Sequence, residues 1–271
     1  MIPFKDWLLS YSLLTLALFA GLVTFFLTAV GSSGSLFLNR VNPKIFSVSL
    51  GFSGGIMIAA SFWSLLNPAI EVAKLHYEIT FLPITLGFII GVVLLRGIDL
   101  LIPHLHMASP TQDQEGPKIP LRKGILILLA ITIHNIPEGL ALGVAYGSVE
   151  ESRELLISAI NLTLGIGLQN IPEGLALSLA LRQTGINRAE SFLLGALSAV
   201  VEPIFSLLGV GGTLIVKALL PYALSLAAGA MIFVTIEELL PEAQKYGNSD
   251  LASIGFGLGF LTMMILDTSL G

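Results

Sequence analysis

Two copies of one eight-residue string, Asn-Ile-Pro-Glu-Gly-Leu-Ala-Leu, stand at Asn135 to Leu142 and at Asn170 to Leu177, preceded by His134 and Gln169 respectively. Residues four apart share a helix face, so His134 stands over Glu138 and Gln169 over Glu173. An imidazole or amide one turn from a carboxylate is ligand spacing for a divalent metal ion. Each string also carries a proline, Pro137 or Pro172, which removes a backbone donor and disturbs the carbonyl four residues earlier, at Ile133 or Leu168. Freed carbonyls serve as ion ligands or hinges. The glycines that follow, Gly139 and Gly174, allow close helix approach. One proline-glycine pair is as readily a packing irregularity; two identical copies, each with an acid, argue for a site.

These strings lie in apolar stretches. Of 271 residues, 54% are hydrophobic and 11% charged, and the mean hydropathy is +0.89. Such a composition belongs in lipid. A span needs roughly 20 mostly apolar residues, and the chain offers eight, at about 8–30, 46–70, 80–102, 122–147, 154–181, 189–213, 218–241 and 251–269. The expected fold is therefore all-α, a single polytopic transmembrane domain over residues 1–271. The first stretch is also weighed as a cleaved signal peptide, but it is long and Lys5 is offset by Asp6.

Eight spans put both termini on one side, and the distribution of cations chooses which. The loops after spans one, three, five and seven hold Arg40, Lys44, Lys118, Arg122, Lys123, Arg182, Arg188 and Lys245; the tails and other loops hold only Lys5, Lys74, Arg153 and Lys217. Both termini are expected outside. The longest connection, at about 103–122, carries Pro103, Pro110, Pro117 and Pro120 and reads as a flexible cytoplasmic loop that divides the spans into three and five. Cysteine is absent, which excludes disulfides and thiolate ligands, and a net charge of −5 argues against nucleic acid as a partner. The expected partners are metal ions and the bilayer. Small-residue surfaces suit a homodimer or simply the helix contacts of a monomer.

Ionisable side chains inside a span cost roughly 2.5–3.5 kcal/mol each and call for a partner or a task. Glu138, Glu173 and Glu202 fall near span centres, where together they would repel unless protons or a divalent cation neutralised them. Because consecutive spans run antiparallel, the two strings would meet near the midplane if spans four and five pack together. Glu202 precedes Pro203 in the sixth span, again an acid at a disturbed turn, with an interfacial acid as the plainer reading. Glu237, Glu238 and Glu242 close the seventh span, where a solvated helix end is an equal explanation. Asp99, His104 and His106 lie on that same side and either pass a metal to the cytosol or are loop residues. Met57, Ser61, Ser64, Asn67 and Glu71 form a polar stripe along the second span and read as a water-facing lining; Met57 alone is more often core than ligand.

His134-Asn135-Ile136-Pro137-Glu138-Gly139, Gln169-Asn170-Ile171-Pro172-Glu173-Gly174 and Glu202-Pro203 together resemble the signatures of the ZIP (Zrt/Irt-like) divalent-metal transporters, and the chain is most similar to their prokaryotic GufA-type branch. The resemblance covers nearly the whole chain. It implies a 3+2+3 arrangement in which the first and last three spans are inverted repeats around spans four and five. It also implies a two-metal site. One metal would take His134, Glu138, Gln169 and Glu173, with Met57 nearby; the second would share Glu138 and Glu173 and add Asn135, Asn170 and Glu202. Asp99, His104, His106 and Glu238 fall where members place cytoplasmic exit ligands. Two departures stand out: some bacterial relatives have aspartate where this chain has Asn170, and histidine where it has Glu237.

The expected activity is import of a divalent transition metal, zinc foremost, by alternating access. Iron(II), manganese, cobalt and cadmium suit the same ligands, whereas copper(I) lacks its thiolates. The resemblance favours an elevator-like shift, with spans two, four and five expected to move together. An intramembrane metalloprotease would want His-Glu-x-x-His, and of His76, His104, His106 and His134 only the last lies deep in a span. The chain is accordingly expected not to be an enzyme and to need no cofactor beyond its cargo. A metal-selective channel would use similar ligands but weaker sites; a sensor would need an output domain, and none is visible. The expected location is a prokaryotic inner or plasma membrane.

Overall fold

Eight helices are long and apolar enough to cross a bilayer: Leu13–Phe37, Pro43–His76, Phe81–Leu101, Lys123–Ser148, Leu155–Gln183, Arg188–Ile215, Leu220–Gln244 and Ser249–Ser269. They are numbered here as spans one to eight. The computed structural model describes residues 4–38, 42–107, 109–215, 217–245 and 247–270. Arg40, one of the charges counted for orientation, lies outside them, as do the side chains of Lys5 and Lys217. Among the described residues there is no strand, only an isolated bridge between His104 and Glu115. The largest departures from the expected bounds are span one, which begins at Leu13 and runs on to Phe37, and span two, which runs on to His76.

Local chemistry sets the ends. Ser12 accepts from the Thr15 N–H at 3.1 Å, Asn42 from Lys44 at 2.9 Å ahead of Pro43, and Asn187 from Glu190 at 2.9 Å, each satisfying a donor that the first helical turn leaves open. Gly185, with φ +93°, ends span five in the left-handed conformation that glycine adopts without cost.

Spans four and five remain continuous helices through Pro137 and Pro172. The irregular turns lie elsewhere. Span two widens into a π-helix at Ser61–Leu66 just before Pro68, span seven does the same at Thr235–Leu239 before Pro241, and span six tightens to a 3₁₀ turn at Ser198–Val200 before Glu202 and Pro203. A proline offers no N–H to the preceding turn, and the wider or tighter turn accommodates the loss.

Small residues then decide which helices meet. A Cβ at Gly143 would overlap the Ser206 carbonyl, one at Gly31 the Ile171 carbonyl, and one at Gly139 would stand 2.5 Å from the Glu202 carbonyl oxygen. Spans one, four, five and six are thereby drawn together, backbone against backbone. Gly51 and Gly55 bring span two equally close to span eight, and Gly87 and Gly91 bring span three to span seven. Span two thus packs most tightly on span eight, and it also meets span five, where Ser53 donates to the Gln169 carbonyl. Across the boundary between the two groups, Gly165 on span five faces the side chains of Met263 and Ile56.

The neighbours are invariant under exchange of span one with six, two with seven, three with eight and four with five. Span one lies on five as six lies on four, and two on eight as seven on three. Met57 and Met231 correspond as well. Each carbonyl accepts a hydroxyl from the first residue of its π-helix, Ser61 at 2.7 Å and Thr235 at 2.8 Å. This is the 3+2+3 inverted repeat. Span four is the most buried and spans three and eight the least. Loops after odd-numbered spans meet at one end, where Lys245 Nζ donates to Ser109 at 2.9 Å; those after even-numbered spans meet at the other, where Tyr77 donates to the Ala218 carbonyl at 2.5 Å.

Candidate metal centre

Span four carries His134, Asn135 and Glu138, span five carries Gln169, Asn170 and Glu173, and span six adds Glu202 directly after its 3₁₀ turn; all are buried. The antiparallel pair brings the two strings together as expected. Gln169 Nε2 donates to Glu138 Oε1 at 2.7 Å, and Asn170 Nδ2 donates to Glu202 Oε1 at 2.9 Å and to the Thr24 carbonyl at 3.4 Å. Glu138 lies within electrostatic reach of both Glu173 and Glu202. Neither span four nor span five carries a lysine or arginine between its terminal turns.

Glu138 Oε2, Gln169 Oε1, Asn170 Oδ1, Glu173 Oε1 and Glu202 Oε2 are all buried without a hydrogen-bond donor. Each such acceptor costs about 1–3 kcal/mol if left unsatisfied. A cluster of lone pairs with carboxylate charge and no donor suits a divalent cation. The Asn135 amide nitrogen is a buried donor with no acceptor, and turning that amide would offer its oxygen instead.

Met57 is fully buried. One turn earlier on its face, Ser53 donates to the Gln169 carbonyl at 3.1 Å, which lays this side of span two against the second string, and the Met57 sulfur lies 3.6 Å from the Thr235 hydroxyl. His134 Nδ1 meets Glu238 Oε2 of span seven. Glu238 therefore joins the centre to a second cluster toward the odd-loop end.

In that cluster His106 stands 3.2 Å from Glu115, 3.6 Å from Glu238 and 3.9 Å from Glu237, with the His104 ring 5.8 Å away. Asp99, also buried, lies within electrostatic reach of His134, His104 and Glu238. The Glu238 carboxylate, with Glu237 and Glu115, pushes the His106 imidazole up to about 9 against the opposing effect of burial. His104, His106 and Glu115 can each turn a ligand atom to within 4.8 Å of the others. Glu115 was not singled out by sequence reading. The bridge to His104, made possible by Gly116 at φ +66°, folds it back across the loop, and no local pattern announces such a pairing.

The polar stripe of span two opens at the opposite end. Ser64 donates to both carboxylate oxygens of Asp267 at 3.1 Å, and Asn161 Nδ2 donates to the Leu266 carbonyl at 3.0 Å. Asn67, Glu71, Asn161 and Asp267 line a cavity of about 230 Å³ between spans two, five and eight. Asp267 also escaped sequence reading, although a lone acid in an apolar span meets the same criterion that drew attention to Glu202.

The pattern that defines the family described as ZIP Zinc transporter matches residues 106–267. Human "Zinc transporter ZIP11" is 35% identical, the similarity covering 94% of this chain and 97% of that protein. The chain belongs to the ZIP family. Other ZIP relatives include "Zinc transporter ZIPB" of Bordetella bronchiseptica, 35% identical over 94% of this chain and 81% of its own length, and "Zinc transporter GufA" of Myxococcus xanthus, 34% identical over 93% and 99%. As a ZIP protein it is an integral membrane transporter rather than an enzyme.

Proposed function

We propose that this protein carries a divalent transition metal, zinc foremost, into the cytoplasm through a binuclear centre, by alternating access. The observation that carries this reading is the convergence of Glu138, Glu173 and Glu202, buried and surrounded by acceptor oxygens without donors. One ion would take His134, Glu138, Gln169 and Glu173 beside Met57. The other would share Glu138 and Glu173 and use Asn135, Asn170 and Glu202. Zinc is favoured by mixed nitrogen and oxygen donors and by relatives that are named zinc transporters.

The elevator reading is supported by where the parts reside. The ligands of the centre, Met57 aside, sit on spans four, five and six, whereas Ser64 and Asp267 at one mouth and Asp99, Glu237 and Glu238 at the other sit on spans two, eight, three and seven. A shift of spans one, four, five and six against the rest would carry the ions from one mouth to the other, with side-chain contacts as the sliding surface. As the site moves, His134 would exchange Glu238 for metal. The excess of cations at the odd-loop end favours that end as cytoplasmic, with both termini outside, in a prokaryotic plasma membrane.

The test is uptake into proteoliposomes of zinc, iron(II), manganese and cadmium by the wild type, Glu138→Gln and Glu173→Gln. Saturable wild-type uptake that falls in both variants to the level of protein-free vesicles is the expected result, and the wild-type rates rank the cargo. Undiminished uptake in folded, inserted variants would falsify the centre.

A further inference from the structure

A second cavity, of about 540 Å³, lies at the odd-loop end where three spans leave the membrane. Arg122 stands at the start of span four, Thr184 and Gly185 follow the end of span five, and Glu190 lies in the first turn of span six; all four line the cavity. None belongs to the metal centre or to the pathway described above. Its volume is in the roughly 300–1,000 Å³ range of small-molecule sites.

Two features define what would fit. The wall is apolar and turned outward: Ile125 is 43% and Leu193 53% exposed at the level of the spans, so the cavity opens toward lipid and its occupant must carry an apolar part. The polar lining holds one cation and one anion, and among the described residues Arg122 and Glu190 form no ion pair with each other. Glu190 complements the dipole of its helix, yet its side chain is exposed and faces the same space as Arg122. Lys123, Arg182 and Arg188 are close in the chain but do not line the cavity. A purely anionic headgroup would meet Glu190 as a like charge, whereas a zwitterion satisfies both groups. Arg122 offers the planar donor fork that suits a phosphate. A carboxylate such as Glu190 accepts hydrogen bonds from a primary ammonium, which a quaternary ammonium cannot donate.

We propose that this cavity binds the headgroup of a phospholipid carrying both a phosphate and a primary ammonium, phosphatidylethanolamine by chemical class, with phosphate at Arg122, ammonium at Glu190 and acyl chain along Ile125 and Leu193. The site is independent of the transport reading, because its readout is lipid retention rather than flux.

Native mass spectrometry of the full-length protein, equilibrated with equal amounts of phosphatidylethanolamine, phosphatidylcholine and phosphatidylglycerol of the same acyl composition, tests it. The wild type is expected to retain phosphatidylethanolamine on the order of tenfold over the others, the ratio that one charge-assisted hydrogen bond supplies. Arg122→Gln should lower the retention of all three lipids, which share the phosphate, and Glu190→Gln should abolish the preference for phosphatidylethanolamine over both phosphatidylcholine and phosphatidylglycerol; both residues are exposed, and thermal unfolding checks that the variants fold. Equal retention of all three lipids, a wild-type preference for phosphatidylglycerol, or a preference untouched by both substitutions would each overturn the assignment.

Discussion

The centre owes its chemistry to a few buried groups with too many acceptors and too few donors. Asn170 is the residue at which this chain lightens the charge: its amide nitrogen donates to Glu202, leaving its oxygen to face the site. An aspartate there cannot donate, and would add a fourth carboxylate to the group. Asn170→Asp is therefore expected to lower the melting temperature of metal-free protein by a few degrees while raising zinc affinity on the order of tenfold. Thermal unfolding with and without zinc reads both, and a variant that is as stable without metal as the wild type would contradict the account. In the cluster at the odd-loop end His106 gains a proton partner in Glu238. Its folded-state value of about 9 lies above its ordinary 6.5, so the contribution to stability is complete below about 6.5 and disappears as pH rises through about 9. An NMR titration of the histidine ring in metal-free protein should find its midpoint near the upper value; a midpoint near 6.5 would show that the carboxylates do not hold it.

At the scale of helices, contact distance is set by where side chains are missing. A Cβ at Gly143 would collide with the Ser206 carbonyl, which as backbone cannot step aside, whereas one at Gly257 would meet nothing within 4 Å. Gly143→Ala should cost about 1–3 kcal/mol by forcing spans four and six apart. Gly257→Ala should be neutral or stabilising by about 0.5–1 kcal/mol through helix preference alone. Unfolding in mild detergent distinguishes the two, and equal effects would mean that close approach does not hold the group of four spans together. The π-helical turns belong to the same scale. They place Ser64 and Glu238, toward opposite ends of the bundle, at irregular turns of symmetry-related helices, where the ladder of backbone hydrogen bonds is already interrupted.

For the molecule as a whole, the proposed elevator motion slides the two groups of spans past one another, and backbone-tight contacts within each group beside side-chain contacts such as Gly165 to Met263 and Ile56 between them suit that motion. The chain has no cysteine, so a single introduced pair reports on it cleanly. A Cβ at Gly165 would lie 3.3 Å from Ile56 Cγ2 across the boundary, within reach of a disulfide. Oxidised Ile56→Cys with Gly165→Cys is expected to lose at least nine-tenths or so of its uptake, the loss being reversed by reductant, because tethering removes one of the two states that alternating access needs. Full flux in the cross-linked protein would exclude sliding at this boundary.

The sequence by itself determined the number and approximate limits of the spans, because lipid demands long apolar helices with internally satisfied backbones. It also marked His134, Asn135, Glu138, Gln169, Asn170, Glu173 and Glu202, because polar groups at that depth are costly enough to stand out against apolar neighbours and the repeated string fixed their helical phase. It did not reveal that span two lies with span eight, since a glycine shows that some helix can come close but not which one. Nor did it reveal that Glu238 reaches His134, that Glu115 folds back onto His104 and His106, or that Arg122 and Glu190 share a cavity. Those pairs come from different segments of the chain, and their meeting depends on the way eight similar apolar helices divide into two bodies. Only the tertiary structure decides that division, because hydrophobicity drives every span into the membrane equally and leaves the choice of neighbour to shape and to a small number of polar contacts.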